Sequence, residues 1–199
     1  MTNEDEEDEK IKVIMLGESG VGKTNLINIS TGFGFNKDEN TTMLACYQLK
    51  EIEIDGTTHK LALWDTIGQE RQRNLTKIFY KNSQIAILVY DITVRHTFEE
   101  LNYWENSLKE IVDQNITLGV AGNKVDLYKE EEVTEEEGEN YAKSINAKFK
   151  LTSAKIDPNG FNDFLKELLI DYINKHEVRQ KTISLDKKKH KAEKKSCNC

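Results

Sequence analysis

Apolar and polar positions along the chain follow two periods. Residues 11–16 (Ile-Lys-Val-Ile-Met-Leu), 85–90, 116–122 and 147–151 are short apolar runs bounded by polar stretches, the pattern of strands buried on both faces. Residues 44–54 and 58–65 flank Asp55-Gly56, a two-residue hairpin signal. Helical spacing appears from Asn25 to Thr31 and again in Phe98, Leu101, Trp104, Leu108 and Ile111, with Thr97 as the expected cap. Residues 134–144 open with Thr134-x-x-Glu137, a capping-box pattern. Phe161, Phe164, Leu165, Leu168, Leu169, Tyr172 and Ile173 stripe a last helix. Residues 32–40, dominated by Gly, Asn and charge, read as a loop, and 70–81 as polar and weakly helical. Strands alternating with helices predict a single α/β domain with a mostly parallel six-stranded sheet covered by helices on both faces.

That pattern places the polar motifs. Stretches 17–24, 65–69, 123–126 and 152–155 each follow the carboxyl end of a predicted strand, the rim on which such sheets bind ligands. Gly17-Glu18-Ser19-Gly20-Val21-Gly22-Lys23-Thr24 is G-x-x-x-x-G-K-[ST] between a strand and a helix. Its glycines let successive backbone N–H groups converge, and the helix adds the positive end of its dipole. Lys23 would reach the terminal phosphates and Thr24 would hold Mg²⁺.

A phosphate loop alone fits kinases, ATPases and GTPases. Asp65-x-x-Gly68 adds an acid that can hold Mg²⁺ through water and an N–H for a γ-phosphate oxygen. Asn123-Lys124-x-Asp126 discriminates the base. A carboxylate at Asp126 accepts from the guanine N1–H and exocyclic amine, a donor pair that adenine lacks. The Lys124 stem can lie over the ring, and Asn123 can tie this loop to the phosphate loop. Backbone N–H groups around Ala154 can meet the guanine O6.

Composition narrows the setting. A chain of 199 residues with 37% hydrophobic content supports one core. No apolar run reaches membrane-spanning length, and the acidic start is unlike a secretory signal. The cysteines are Cys46, Cys197 and Cys199, a usage that fits a reducing cytosolic setting. The net charge of −7 conceals an acidic run from Glu4 to Glu9 and six lysines within residues 187–195. Between them the surface is mildly acidic with no basic stripe, so nucleic-acid binding is not expected. The expected organisation is a disordered acidic arm over 1–10, a domain over 11–175 and a flexible basic tail over 176–199.

Together these residues resemble a Ras-superfamily small GTPase, and within it a Rab. Trp64-Asp65-Thr66-x-Gly68-Gln69-Glu70, Asn123-Lys124-Val125-Asp126 and Thr152-Ser153-Ala154-Lys155 resemble the superfamily's phosphate and guanine motifs. Lys60-Leu61-Ala62-Leu63-Trp64, Arg71-x-Arg73-x-x-Thr76 and Val89-Tyr90-Asp91-Ile92-Thr93 resemble Rab segments. The resemblance implies a P-loop GTPase domain that switches between GTP and GDP in vesicle traffic. It implies Ser19, Gly20, Val21, Gly22, Lys23, Thr24 and Asn25 around the phosphates, and Phe35 against the base edge. Ser153, Ala154 and Lys155 would complete the base site. Lys23, Thr42 and Gln69 would serve hydrolysis, Gln69 by orienting the attacking water; Thr24, Thr42 and Asp65 would serve Mg²⁺. Loops 35–47 and 66–80 would be the switches. The expected partners are an exchange factor, a GTPase-activating protein, effectors and a prenyl-binding chaperone for a monomeric protein. Cys197-Asn198-Cys199 resembles a double-prenylation ending, which implies the cytoplasmic face of intracellular membranes in exchange with cytosol.

Three features depart from the pattern. Met43-Leu44-Ala45-Cys46-Tyr47 replaces the usual Ile-Gly-Val-Asp-Phe, Glu39 stands where a tyrosine is common, and Ile67 replaces a small residue before Gly68. A β-branched side chain at Ile67 would restrict the backbone there. Slow or altered switching is therefore expected, and a pseudo-GTPase adaptor is the alternative.

Overall fold

The computed structural model describes residues 10–37, 46–66, 77–112, 116–157 and 159–177. Six strands form one sheet: β1 (Ile11–Leu16), β2 (Cys46–Ile54), β3 (Thr57–Asp65), β4 (Ile85–Asp91), β5 (Thr117–Asn123) and β6 (Lys148–Leu151). Their order is β2-β3-β1-β4-β5-β6. Only β2 runs antiparallel, paired with β3. The hairpin forms at Asp55-Gly56, where φ is 50° and 78°, the two left-handed residues of a tight turn matched to strand twist.

The helices are α1 (Lys23–Thr31), α2 (Arg95–Glu99), α3 (Leu101–Lys109), α4 (Glu135–Ser144) and α5, residues 159–177. Side chains alternate across each strand, so the sheet feeds two cores. Val13, Met15, Ile85, Ile87 and Val89 pack with Leu26 and Ile27 of α1 and Phe161, Phe164 and Leu168 of α5. Ile14, Leu16, Ala86, Leu88 and Tyr90 pack on the opposite face with Leu101, Trp104 and Leu108 of α3 and Ala142 of α4. Each large apolar side chain buried this way contributes about 1.5–3 kcal/mol. Among the described residues, no helix is long and apolar enough to cross a membrane.

Most predicted elements sit where the pattern placed them, and the differences have local causes. The first helix starts at Lys23, two residues early, because Gly22 at φ 97° serves as its cap. Thr97 is not a helix cap. The helix begins at Arg95 with Val94 as the cap, and the Thr97 hydroxyl turns inward, accepting from the Asp91 N–H at 3.0 Å and donating to the Val94 carbonyl at 2.7 Å. The anticipated single helix divides into α2 and α3 at Glu100, which keeps helical backbone angles. Thr134 and Glu137 do form a reciprocal capping box. The last helix continues through 177, two residues beyond the expected domain end.

Candidate functional site

The phosphate loop leaves β1 through a backbone only glycine tolerates. Gly17 has φ 143°, and a Cβ there would stand 2.1 Å from the Val89 carbonyl oxygen. Gly22 has φ 97°, and a Cβ there would stand 2.4 Å from Asn123 Nδ2. No side chain caps the start of α1, so its first N–H groups face the loop and suit an anion. Lys23 is buried, with Nζ donating to the carbonyls of Gly17 at 2.9 Å and Glu18 at 2.8 Å. Burial lowers its pKa to about 8, against the opposing pull of Asp65 and Glu18.

The end of β3 meets this loop. The Thr24 hydroxyl donates to Asp65 Oδ2 at 2.7 Å, and Asp65 is buried. Two hard oxygen donors so placed fit Mg²⁺. Thr66 is held by a hydrogen bond from its hydroxyl to the Met15 carbonyl, fixing the chain just before Ile67. Asn25 and Asn36 pair twice, Nδ2 to the Asn36 carbonyl at 2.9 Å and the Asn36 N–H to Oδ1 at 2.8 Å. Phe35, beside this clasp, is 43% exposed.

The ends of β4, β5 and β6 build the second half. Asn123 is buried at the last position of β5; its Nδ2 donates to the Val21 carbonyl at 2.8 Å, joining the two halves. Its Oδ1 accepts from the Thr152 hydroxyl at 3.3 Å. Lys124 has φ 69° and reaches back to Asp91, Nζ to Oδ2 at 2.6 Å. Asp91 also accepts from the Thr93 N–H and hydroxyl at 2.9 and 2.8 Å through Oδ1. The Ser153 hydroxyl donates to Asp126 Oδ1 at 2.6 Å, while Lys155 Nζ lies 3.8 Å from Oδ2. Asp126 remains 12% exposed, so its carboxylate is oriented and still reachable. Ala154, buried, sits between these anchors.

The structure therefore gathers Ser19, Gly20, Val21, Gly22, Lys23, Thr24, Asn25, Asp65, Asn123, Lys124, Asp126, Ser153, Ala154 and Lys155 on one rim, the carboxyl ends of the parallel strands. Thr42, Gly68, Gln69, Glu39, Ile67, Cys197 and Cys199 lie outside the described residues, as do most of the two expected switch loops. Sequence reasoning gave Asp91 no role. Its signal was available, since parallel pairing of two runs each ending in a polar residue sets Asp91 beside Asn123. Thr152 was likewise quoted only as part of a motif.

Comparison of the sequence with known proteins matches the chain to a family. A Ras family model covers residues 12–175. Human Rab-21 is 42% identical over 160 residues, 80% of this chain and 69% of its own. Human Rab-22A is 40% identical over 162 residues, 81% of each chain. Caenorhabditis elegans rab-11.1 is 36% identical over 178 residues, 88% of this chain and 84% of its own. These relatives do not support the adaptor alternative without turnover. The chain belongs to the Ras family and is a Rab-like small GTPase, a GTP-hydrolysing switch of membrane trafficking.

Proposed function

We propose that the rim binds GTP with its phosphates in 17–24 and its guanine on Asn123, Lys124, Asp126 and the 153–155 loop. The observation that carries this reading is the Asn123–Val21 hydrogen bond at 2.8 Å, which makes the two loops one receptor. Lys23, already desolvated, supplies a positive charge that becomes more favourable once anionic oxygens replace the carbonyls of Gly17 and Glu18. Asp126, oriented by Ser153, selects guanine over adenine. Thr24 and Asp65, joined by Thr42, would hold Mg²⁺, which neutralises charge on the β- and γ-phosphates when bound. Gln69 orients water, and loops 35–47 and 66–80 order around the γ-phosphate.

The product switch addresses partners through the hairpin beside those loops. Tyr47 stacks on Trp64 at 5.0 Å and Trp64 meets Phe79 at 5.8 Å, leaving Tyr47 and Leu49 exposed. Exchange factors, activating proteins and effectors would read this region. The acidic arm 1–10 and basic tail 176–199 flank the domain. Lipid on Cys197 and Cys199, with the neighbouring lysines, would give the two signals that stable membrane residence takes.

Single-turnover phosphate release from the GTP-loaded full chain tests the reading. The parent hydrolyses slowly, and an arginine offered in trans raises the rate by about 10³–10⁵. Gln69→Leu keeps nucleotide binding and slows release by about 10²-fold. Equal rates in parent and variant would overturn the role given to Gln69.

A further inference from the structure

Lys124 sits in the left-handed region, with φ 69° and ψ 34°. That backbone is disfavoured for a residue with a Cβ and persists where the surroundings fix it. They fix Lys124 at both ends. Its main chain is held just past β5, where the Val125 N–H donates to the Thr152 carbonyl at 3.2 Å and the Leu127 N–H to the Lys124 carbonyl at 2.8 Å. Its ammonium meets Asp91 Oδ2 at 2.6 Å, and the Asp91 side chain is 5% exposed. The carboxylate is fixed in turn, because Oδ1 accepts from the Thr93 N–H at 2.9 Å and the Thr93 hydroxyl at 2.8 Å. The Asp91 N–H donates to the Thr97 hydroxyl oxygen at 3.0 Å, and strand register sets Asp91 beside Asn123. The Lys124 stem therefore runs between two fixed points.

By its charge alone Asp91 would oppose a nucleotide, since a carboxylate near the rim repels phosphate. What it offers the site is direction. We propose that Asp91 is a positioning residue for the purine, holding the Lys124 ammonium so that the stem lies across the base face before the nucleotide arrives. It rests on the reading of 123–126 as the guanine half of the rim. A lysine stem has large rotamer freedom, and ordering it in advance removes that loss from binding. The stem meets the face of the ring and not the edge read by Asp126. Asp91 thus governs how long a purine nucleotide stays and not which purine is chosen.

Dissociation of a ribose-labelled fluorescent GDP analogue from the Mg²⁺-loaded full chain, chased with excess GDP, tests the proposal. Asp91→Asn keeps the shape and an acceptor for Thr93 but loses the ion pair, and dissociation accelerates about tenfold. Lys124→Met removes the ammonium itself and accelerates dissociation by at least as much. In the double variant, Asp91→Asn adds no more than about twofold to Lys124→Met, because no ammonium is left to hold. Affinities of Asp91→Asn for GDP and for inosine diphosphate, which lacks the exocyclic amine, fall by the same factor. An Asp91→Asn rate equal to the parent's overturns the proposal, and so does a slower one, the sign that charge alone would give. A double variant in which the two accelerations multiply also overturns it, making Asp91 a support of the β4 end only. A changed ratio between the two nucleotides overturns the assignment to the ring face. A parent that fails to retain the analogue, or a Lys124→Met variant that retains it as the parent does, overturns the base-half reading beneath.

A further variant does not depend on Asp91→Asn folding. Thr93→Val deletes the hydroxyl donor to Asp91 Oδ1 and leaves every charge in place. Dissociation accelerates about threefold in the parent background and stays unchanged in Lys124→Met. Equal rates in Thr93→Val and the parent, or the same acceleration in both backgrounds, overturn the proposal.

Discussion

The two halves of the rim solve the same problem, fixing polar groups around a ligand, by different means. The phosphate half is built from backbone. Gly17, Gly20 and Gly22 all take positive φ, Lys23 is held by two main-chain carbonyls, and α1 begins without a side-chain cap. The base half is built from side chains that hold other side chains: Asp91 on Lys124, Ser153 on Asp126, Thr152 on Asn123. A backbone nest is specified locally and has no room for an added atom at Gly17 or Gly22. A side-chain relay is specified by strands far apart in sequence and can lose a member without losing its shape. The two halves should therefore fail differently.

The largest effect is expected in the backbone half. Gly17→Ala forces a Cβ against the Val89 carbonyl and places a non-glycine residue at φ 143°. Neither the β4 backbone nor the loop can give way cheaply, so the variant loses about 3 kcal/mol or more of stability together with nucleotide binding. Thermal unfolding and GDP titration check both. A variant that binds GDP as the parent does would show that the loop has room the geometry denies.

A smaller and more selective loss is expected in the relay. Ser153→Ala removes the donor to Asp126 Oδ1, and with it the acceptor of the Lys155 and Ile156 N–H groups at 3.2 and 3.3 Å, but leaves the carboxylate and the Lys155 side chain. One hydrogen bond to a charged group is worth about 1.5–3 kcal/mol, or about 10- to 100-fold in guanine-nucleotide affinity. Inorganic phosphate, which the proposed reading assigns to the 17–24 loop alone, should bind unchanged. Isothermal titration with GDP and with phosphate separates the two, and a parallel loss of both would erase the distinction between the halves.

The same contrast explains what could be read in advance. The loop from Gly17 to Thr24 was legible because its conformation is dictated within eight consecutive residues. The strands were legible because β4 and β5 are buried on every position, which leaves an uninterrupted apolar run. Thr97 misled because a threonine before an amphipathic stripe resembles a cap. Which way its hydroxyl turns depends on the nearby Asp91 N–H at the end of β4, a tertiary fact. Asp91 was missed as a site residue because its partner Lys124 lies 33 positions away, and it takes the pairing of β4 with β5 to bring the two together.

The weakest expected effect lies on a polar cluster that serves neither half. Arg95 grips Glu137 through two guanidinium nitrogens, Nη1 to Oε1 at 2.6 Å and Nη2 to Oε2 at 3.1 Å. Glu137 Oε2 also accepts from the Thr134 N–H at 2.9 Å. The Arg95 hydrogen bond, followed by those from Thr134, lowers the Glu137 pKa from 4.5 to about 2. A carboxylate depressed on folding stabilises the protein above its unfolded pKa, and that contribution disappears as pH falls through the folded value. The stabilisation is therefore full above pH 4.5 and lost by about pH 2. The side chains are 40% and 39% exposed, so solvent screens the pair and keeps the effect small. Arg95→Ala should lower the melting temperature slightly at pH 6, with the difference from the parent shrinking steadily toward pH 2. A gap that persists at pH 2 would mean that Arg95 acts through packing or through the Glu132 carbonyl, to which it also donates, and not through Glu137. That result would place even this exposed pair with the backbone-dictated half, where shape and not charge decides.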